Sequence, residues 1–418
     1  MKNVLIIGSG GREHAIAVQL KKSPEIGELH CLPGNAGISL IAKCKNIPVM
    51  DFEGIFEYIE NSDGIDMVVV APDNPLAEGL VDFLEDRGIR AFGPRKEAAV
   101  LEASKSFAKD FMKRHNIPTA AYEVFDDCKK AIEYVKAQKH PLVIKADGLA
   151  LGKGVTICGS VSESVTLLKE VMRESKFGDA GASVVIEEFM TGKEVSVLSF
   201  CDGKTIVPMV SSQDHKRAFD NDKGPNTGGM GAFSPSMAFD AAAEKDFTEN
   251  IMLPTLKGLS EDGIKFKGVI YFGLMLTSDG VKVVEYNARF GDPETQVVLP
   301  RLKTDLLDIF DAVIDEKLDE INIEWYDNAA VCVVLASGGY PVAYEKGLPI
   351  IMDHPRDVTI YHAGTKFFSR ELVTWGGRVL GVTALGGTIE EARKKAYTAV
   401  ARINFEKKQF RTDIGQNL

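Results

Sequence analysis

Residues 4–7 (VLII) form an unbroken apolar run, and the turn Gly8-Ser9-Gly10-Gly11 carries the chain directly into a helical pattern over 15–20. An all-apolar strand has to be covered on both faces, and a glycine turn into a helix begins that cover. This succession of elements opens a doubly wound parallel sheet. Further short apolar strands at 29–32, 66–71 and 91–92 end in turns rich in Pro, Gly and Asn. Ligands of such sheets lie beyond the carboxyl ends of the strands. Gly10, Gly11, Asn35 and Asp73 therefore fall on one rim and suggest a polar small-molecule site. Taken singly, each is also an ordinary turn-forming residue. Dinucleotide binding at the glycine turn fits poorly. The third glycine of G-x-G-x-x-G falls at Glu13, whose bulk is expected to obstruct close helix–strand packing. A phosphate cradle of backbone N–H groups at the helix start needs only the glycines and survives that objection.

With 418 residues the chain has room for roughly two to four domains. A net charge of -11 argues against broad nucleic-acid binding. The six cysteines (Cys31, Cys44, Cys128, Cys158, Cys201 and Cys332) form no C-x-x-C pair, so reduced core thiols are expected. The histidines show no metal-binding spacing. No apolar run approaches the roughly 18 residues of a membrane helix, and no cleavable apolar segment follows the first strand. The expectation is a cytoplasmic protein with neither nucleic-acid nor membrane partners.

Residues 97–114 read as one helix containing Lys105, and 121–139 as a strand and a helix. A strand at 141–146 carries Lys145 into the glycine-rich turn 147–154, which holds Gly152, Lys153 and Gly154, and a second strand returns over 155–158. Such a hairpin suits nucleotide phosphates, because glycines let backbone N–H groups approach and lysines neutralise charge. It is not a Walker loop, since GxxxxGK[ST] is absent and a strand follows. A mobile surface hairpin is the plain alternative. The strand 183–186 runs out through Glu187, Glu188 and Met190 towards Glu194, a placing that suits an adenine and a ribose. Residues 210–231, holding Asp214, His215, Lys216 and Arg217, lack periodicity and read as one long functional loop.

A hairpin of strands 268–276 and 281–287 follows, turning at Ser278-Asp279-Gly280. Simple alternation places Val281, Val283, Glu285 and Asn287 on one face and Val284, Tyr286 and Ala288 on the other. Two oxygen side chains at i and i+2 on a strand make a seat for a hard cation such as Mg²⁺. The turn beyond holds Arg289, Asp292 and Glu294; an ordinary strand with a charged end is the plain alternative. Residues 302–318 read as a helix. Past Trp325, short strands with glycine turns and a closing helix over 389–403 read as a separate α+β unit.

In order, the chain carries GSGGREHA, PGNAG, VIKADGLALGKGV, IEEFMTGKE, SSQDHKR, GPNTGGMG, EYNARFGDPETQ, SGGYP, HAGT and GGRVLGVTA. In these motifs it resembles, end to end, the glycinamide ribonucleotide synthetase (phosphoribosylamine–glycine ligase) family of the ATP-grasp superfamily. The resemblance implies an α/β and α+β multidomain fold. Its parts would be an N-terminal Rossmann-like doubly wound sheet (1–101), an ATP-grasp module (102–325) with 122–189 as its lid, and a small C-terminal α+β domain (326–418). It implies a cytoplasmic, monomeric ligase joining glycine to phosphoribosylamine with ATP and Mg²⁺ or Mn²⁺, in transient contact with a neighbouring purine-pathway enzyme. By motif, Lys105, Lys145, Gly152, Lys153 and Gly154 would serve the ATP phosphates. Glu187, Glu188 and Met190 would line the adenine, and Glu194 the ribose. Glu285 and Asn287 would hold the metal, and Arg289 would stabilise an acyl phosphate. Asp214 and Asp292 would orient glycine and the amine, while Gly10, Gly11, Asn35 and Asp73 would hold the phosphoribosyl group. The family usually has glutamate at the position of Asp73, and residues 271–276 offer no second acidic metal ligand. Rival readings are another ATP-grasp ligase, a nicotinamide-dependent dehydrogenase and a regulatory nucleotide-binding protein.

Overall fold

The structure, a computed structural model, describes residues 1–150, 154–353 and 355–416. Its N-terminal sheet is parallel throughout, in the order Lys43–Cys44, Ile26–Pro33, Lys2–Gly8, Met67–Val70 and Ala91–Phe92. Val4, Leu5, Ile6 and Ile7 are completely buried, as an all-apolar strand requires. Helix Gly11–Leu20 leaves the glycine turn, and Glu13 folds back over it. The Glu13 carboxylate accepts the Gly10 N–H at 2.5 Å and fills the space a Cβ on Gly8 or Gly10 would need. The expected obstruction by Glu13 is therefore corrected. The glutamate occupies the room the glycines leave and caps the helix start.

Two antiparallel sheets make the centre. The smaller has the order Tyr122–Phe125, Val184–Glu188, Leu142–Ala146, Val155–Cys158, and packs on helices Cys128–Ala137 and Val161–Met172. The larger has the order Ile206–Pro208, Lys193–Cys201, Gly268–Thr277, Gly280–Asn287. The helix read over 97–114 is two helices, Lys96–Ala103 and Lys105–Arg114, broken at an extended Ser104. The Ser104 hydroxyl accepts the Phe107 N–H (3.1 Å), so an N-cap interrupts an otherwise continuous helical pattern. Lys105 thereby opens the second helix. The helix read over 302–318 spans only Leu306–Asp315, started by the Asp305 cap.

The third large sheet runs Gln213–Asp214, Gly231–Ser234, Ala329–Ser337, Arg378–Gly386, Val358–His362, with Lys408–Gln409 paired to the end of Ala329–Ser337. Its first strand comes from the segment read as one long loop, its second begins at the last residue of that segment, and the hairpin Arg217–Phe219/Lys223–Asn226 lies between them. The C-terminal sheet is thus completed by central residues. Among the described residues no helix is long and apolar enough to cross a membrane. All six cysteines are free, and Cys31, Cys158, Cys201 and Cys332 are buried.

Phe310, fully buried on helix Leu306–Asp315, stacks on Phe92 of the parallel sheet with ring centroids 3.9 Å apart, and meets Phe290 beside the charged turn. Phe310→Ala is expected to cost about 3–5 kcal/mol through the cavity it leaves. Chemical denaturation followed by circular dichroism measures this; a loss below about 1 kcal/mol would show that the layers dock without it.

Candidate active site

A cleft of about 920 Å³ opens where the sheets meet. Its floor is the end of strand Gly280–Asn287, and the register there departs from simple alternation. Gly273 pairs with Glu285 but Leu274 pairs with Val283, so Val284 is an extra, bulged residue. The bulge reverses the facing halfway along the strand. Val281, Val283, Tyr286 and Ala288 all enter one core, while Glu285 and Asn287 line the cleft. The expectation that Val281 and Val283 share a face with Glu285 and Asn287 is corrected accordingly. Without the bulge, either the valines or the carboxylate would point the wrong way. The bulge also leaves the Val284 carbonyl to accept the Lys145 Nζ at 3.0 Å.

Buried charge surrounds this floor. Lys145 Nζ lies 2.8 Å from Glu187 Oε1, and Lys109 Nζ lies 3.1 Å from Glu187 Oε2; all three side chains are at most 4% exposed. Glu187, expected beside an adenine, is thus a counterion between two lysines. Lys105 Nζ donates to the carbonyls of Gly148 (3.0 Å) and Asp147 (3.3 Å) at the root of the glycine-rich turn. Burial would raise the Glu285 carboxyl, but Lys216, Lys145, Lys105 and Arg289 together hold it below the usual range. Lys216 bridges the two acidic positions, 3.3 Å from Glu194 and 3.9 Å from Glu285.

The charged turn is neutralised from outside itself. Arg289 pairs with Glu102 at 2.8 Å, Glu102 also accepts the Ala288 N–H, and the same guanidinium nitrogen of Arg289 donates to Asn287 Oδ1 at 3.2 Å. Burial would lower the Arg289 pKa, yet Glu102, Asp73 and Glu294 more than reverse this. Arg378 donates to the Asp292 carboxylate (2.9 Å), the Asp292 carbonyl (2.6 Å) and the Gly228 carbonyl (2.5 Å). Arg12 donates to the Phe290 carbonyl at 3.1 Å. Burial raises Asp214 and Glu294; Glu294, Glu194 and Glu285 add to the rise of Asp214, and Asp292 to that of Glu294, so both keep a proton more firmly than ordinary carboxylic acids. Glu294 accepts the Tyr271 hydroxyl at 3.1 Å, and that hydroxyl lies 2.7 Å from Ser196 Oγ.

Of the residues singled out from sequence, Asp73, Lys105, Lys145, Gly154, Glu187, Glu188, Met190, Glu194, Asp214, Glu285, Asn287, Arg289 and Asp292 all line this cleft. Gly10 and Gly11 lie beside it: a Cβ on Gly11 would stand 2.6 Å from the Gln296 amide, itself bonded to Asp292. Asn35 stands apart. Its amide donates to the carbonyls of Ser9 and His362 and its oxygen accepts from Gly37 and Ile38, tying the rim to the C-terminal sheet. Gly152 and Lys153 lie outside the described residues.

Three family models cover the chain: the N domain of phosphoribosylglycinamide synthetase over residues 2–102, its ATP-grasp (A) domain over 103–295 and its C domain over 330–417. The chain belongs to the phosphoribosylglycinamide synthetase family. It is 46% identical over 414 residues to the phosphoribosylamine–glycine ligase of Clostridium acetobutylicum, covering 99% of each chain. It is 45% identical over 413 residues to that of Caldanaerobacter subterraneus subsp. tengcongensis, covering 98% of this chain and 99% of the relative. The crystal structure of the Thermotoga maritima phosphoribosylamine–glycine ligase superposes with a TM-score of 0.84 at 38% identity, covering 99% of this chain and all of that one.

The N and A models of the family meet at residues 102 and 103, between Glu102 and the Ser104 break. Lining residues to which the sequence reading gives no role include Arg12, Glu102, Lys109 and Arg378, together with Lys216 and Glu294, which it names only as part of a loop and a turn. Arg12, Lys216, Glu294 and Arg378 stand inside quoted motifs, which was a usable signal. Glu102 and Lys109 sit on helical faces with nothing local to mark them. Among the described residues, no three His, Cys, Asp or Glu side chains group closely enough to hold a metal by themselves. Glu285 and Asn287 supply two oxygen-bearing side chains on one face, which suits a cation whose remaining ligands come from elsewhere.

Arg378→Met leaves Asp292 without its counterion in a shielded place, and breaking such a pair from one side costs about 3–5 kcal/mol. The denaturation midpoint is expected to fall accordingly. An unchanged midpoint would mean solvent already screens the pair.

Proposed function

We propose that this chain ligates glycine to 5-phosphoribosylamine with ATP, giving glycinamide ribonucleotide, ADP and phosphate in purine biosynthesis. The observation that carries the reading is one cleft that gathers Lys105, Lys145, Glu285, Asn287, Arg289 and Asp292 from distant parts of the chain. Phosphoryl transfer demands this kind of surrounding: fixed positive charge around oxygen atoms whose charge is redistributed, with water largely kept away.

In this reading residues 122–189 form the lid of an ATP-grasp module spanning 102–325, between an N-terminal domain of 1–101 and a C-terminal domain of 326–418. Lys105 and Lys145 contact the ATP phosphates, which Gly154 also serves, as would Gly152 and Lys153, which lie outside the described residues. Glu188 and Met190 face the adenine, with Glu187 behind them, and Glu194 takes the ribose. Glu285 and Asn287 hold Mg²⁺ or Mn²⁺, which when bound draws charge from the phosphate oxygens. Gly10, Gly11, Asn35 and Asp73 shape the phosphoribosyl end.

The reaction then proceeds in two displacements. A glycine carboxylate oxygen attacks the γ-phosphorus, the bond to the bridging oxygen breaks, and ADP leaves with that electron pair. The amine of phosphoribosylamine next attacks the carbonyl carbon of glycyl phosphate, and inorganic phosphate departs as the amide forms. Arg289 stabilises the negative charge on the acyl phosphate. Asp292 and Asp214 orient the two amines. The raised pKa of Asp214, set by burial and its acidic neighbours, makes it a better proton acceptor than a free carboxylate once its own proton has been lost.

ADP release with phosphoribosylamine generated in situ is expected to require glycine; turnover without glycine would overturn the substrate assignment. Glu285→Ala and Arg289→Ala are each expected to lower kcat by at least about 100-fold while circular dichroism stays native. With only two side chains, Glu285 and Asn287, assigned to the cation, calorimetry is expected to show weak Mg²⁺ binding without nucleotide. Micromolar binding to the nucleotide-free protein would contradict the assigned ligands.

A further inference from the structure

Lys109 lies four residues beyond Lys105 on helix Lys105–Arg114, and only 2% of it reaches solvent. Its Nζ donates to Thr119 Oγ1 at 2.7 Å, and the Thr119 hydroxyl donates onward to the Val283 carbonyl at 2.7 Å, next to the bulge. On its other side stands Glu187 Oε2, 3.1 Å away. The remaining Glu187 oxygen lies 2.8 Å from Lys145 Nζ, which also donates to the Val284 carbonyl. Two cations and one anion are therefore packed together out of water. The further charged group acting on Lys109 is Glu285, while the Tyr122 ring lies 5.8 Å from its ammonium.

One buried carboxylate against one ammonium makes a neutral pair, which offers little attraction to a third group. A second ammonium on the same carboxylate leaves the cluster with a net positive charge. Buried net charge is unfavourable alone and is relieved by an incoming anion. Glu187 also cannot swing towards Lys145 with both oxygen atoms while Lys109 holds one of them. Burial lowers the Lys109 pKa to about 8, against the pull of Glu187, so the ammonium persists at neutral pH.

We propose that Lys109 is a positioning residue for nucleotide phosphates: by occupying half of Glu187, it directs the charge of Lys145 into the cleft. The inference rests on the reading of Lys145 as a phosphate contact, and goes beyond it by assigning the electrostatic control of that contact to the buried Lys109 behind it.

Calorimetric titration of the full-length protein with MgATP, and separately with adenosine, tests it. Lys109→Met is expected to weaken MgATP binding about tenfold, the size of one lost charged contact, and to leave adenosine binding unchanged. Lys109→Gln, which retains a hydrogen-bond donor for Thr119 without the charge, is expected to weaken MgATP equally, and stands in should the methionine variant not fold. Adding Glu187→Gln to either variant is expected to restore MgATP affinity, because Lys145 then has no carboxylate to neutralise it. Equal weakening of adenosine and MgATP, or no rescue by Glu187→Gln, would overturn the proposal in favour of a purely structural role. Lys145→Met separates the two levels. If it weakens MgATP while the Lys109 variants do not, only the role of Lys109 falls; if it leaves MgATP binding unchanged, the phosphate reading of Lys145 falls with it.

Discussion

Arg289 and Asp292 leave the end of strand Gly280–Asn287 as largely shielded charges, each 18% exposed, and each finds its counterion on a distant part of the chain. Glu102 lies 2.8 Å from Arg289, and Arg378 lies 2.9 Å from Asp292. A buried charge without a partner costs several kcal/mol, so neither side chain is tolerated until both partners are docked. Arg12 arrives from helix Gly11–Leu20, Lys145 from the smaller central sheet, and Arg378 from the C-terminal sheet. The cleft is thus a joint product of every layer.

The bulge at Val284 is the local device that makes this possible. A regular strand offers two faces of period two, and here the hydrophobic residues switch parity at Val284. By absorbing one residue, the strand buries Val281, Val283, Tyr286 and Ala288 together while Glu285 and Asn287 face the cleft. The unpaired Val284 carbonyl then fixes Lys145. One extra residue therefore serves packing and chemistry at once, as bulges beside active sites commonly do.

Much of the fold was legible in the residues themselves. The apolar run at 4–7 demanded two-sided cover and received it in a parallel sheet; the Asp279-Gly280 turn announced the central hairpin. What failed were features decided by partners far along the chain. Residues 213–214 and 231–234 carry no strand period, yet the edge of Ala329–Ser337 recruits 231–234, which in turn pairs with 213–214. Ser104 breaks a helix whose flanking residues favour continuation, and Glu13 fits where its size argued against it, because the space beside Gly8 and Gly10 is visible only in three dimensions.

The same division holds for the site. Motifs made of glycines and charged residues in close succession marked Lys105, Lys145, Glu285, Asn287, Arg289 and Asp292, since short-range order records which groups a reaction needs. The sequence by itself determined the strands, the turns and the chemical types brought to the cleft. Only the tertiary structure decided that Glu187 faces two lysines and that Arg289 and Asp292 are held by Glu102 and Arg378. Charge pairing is a matter of distance in space, and spacing along a chain carries no record of it.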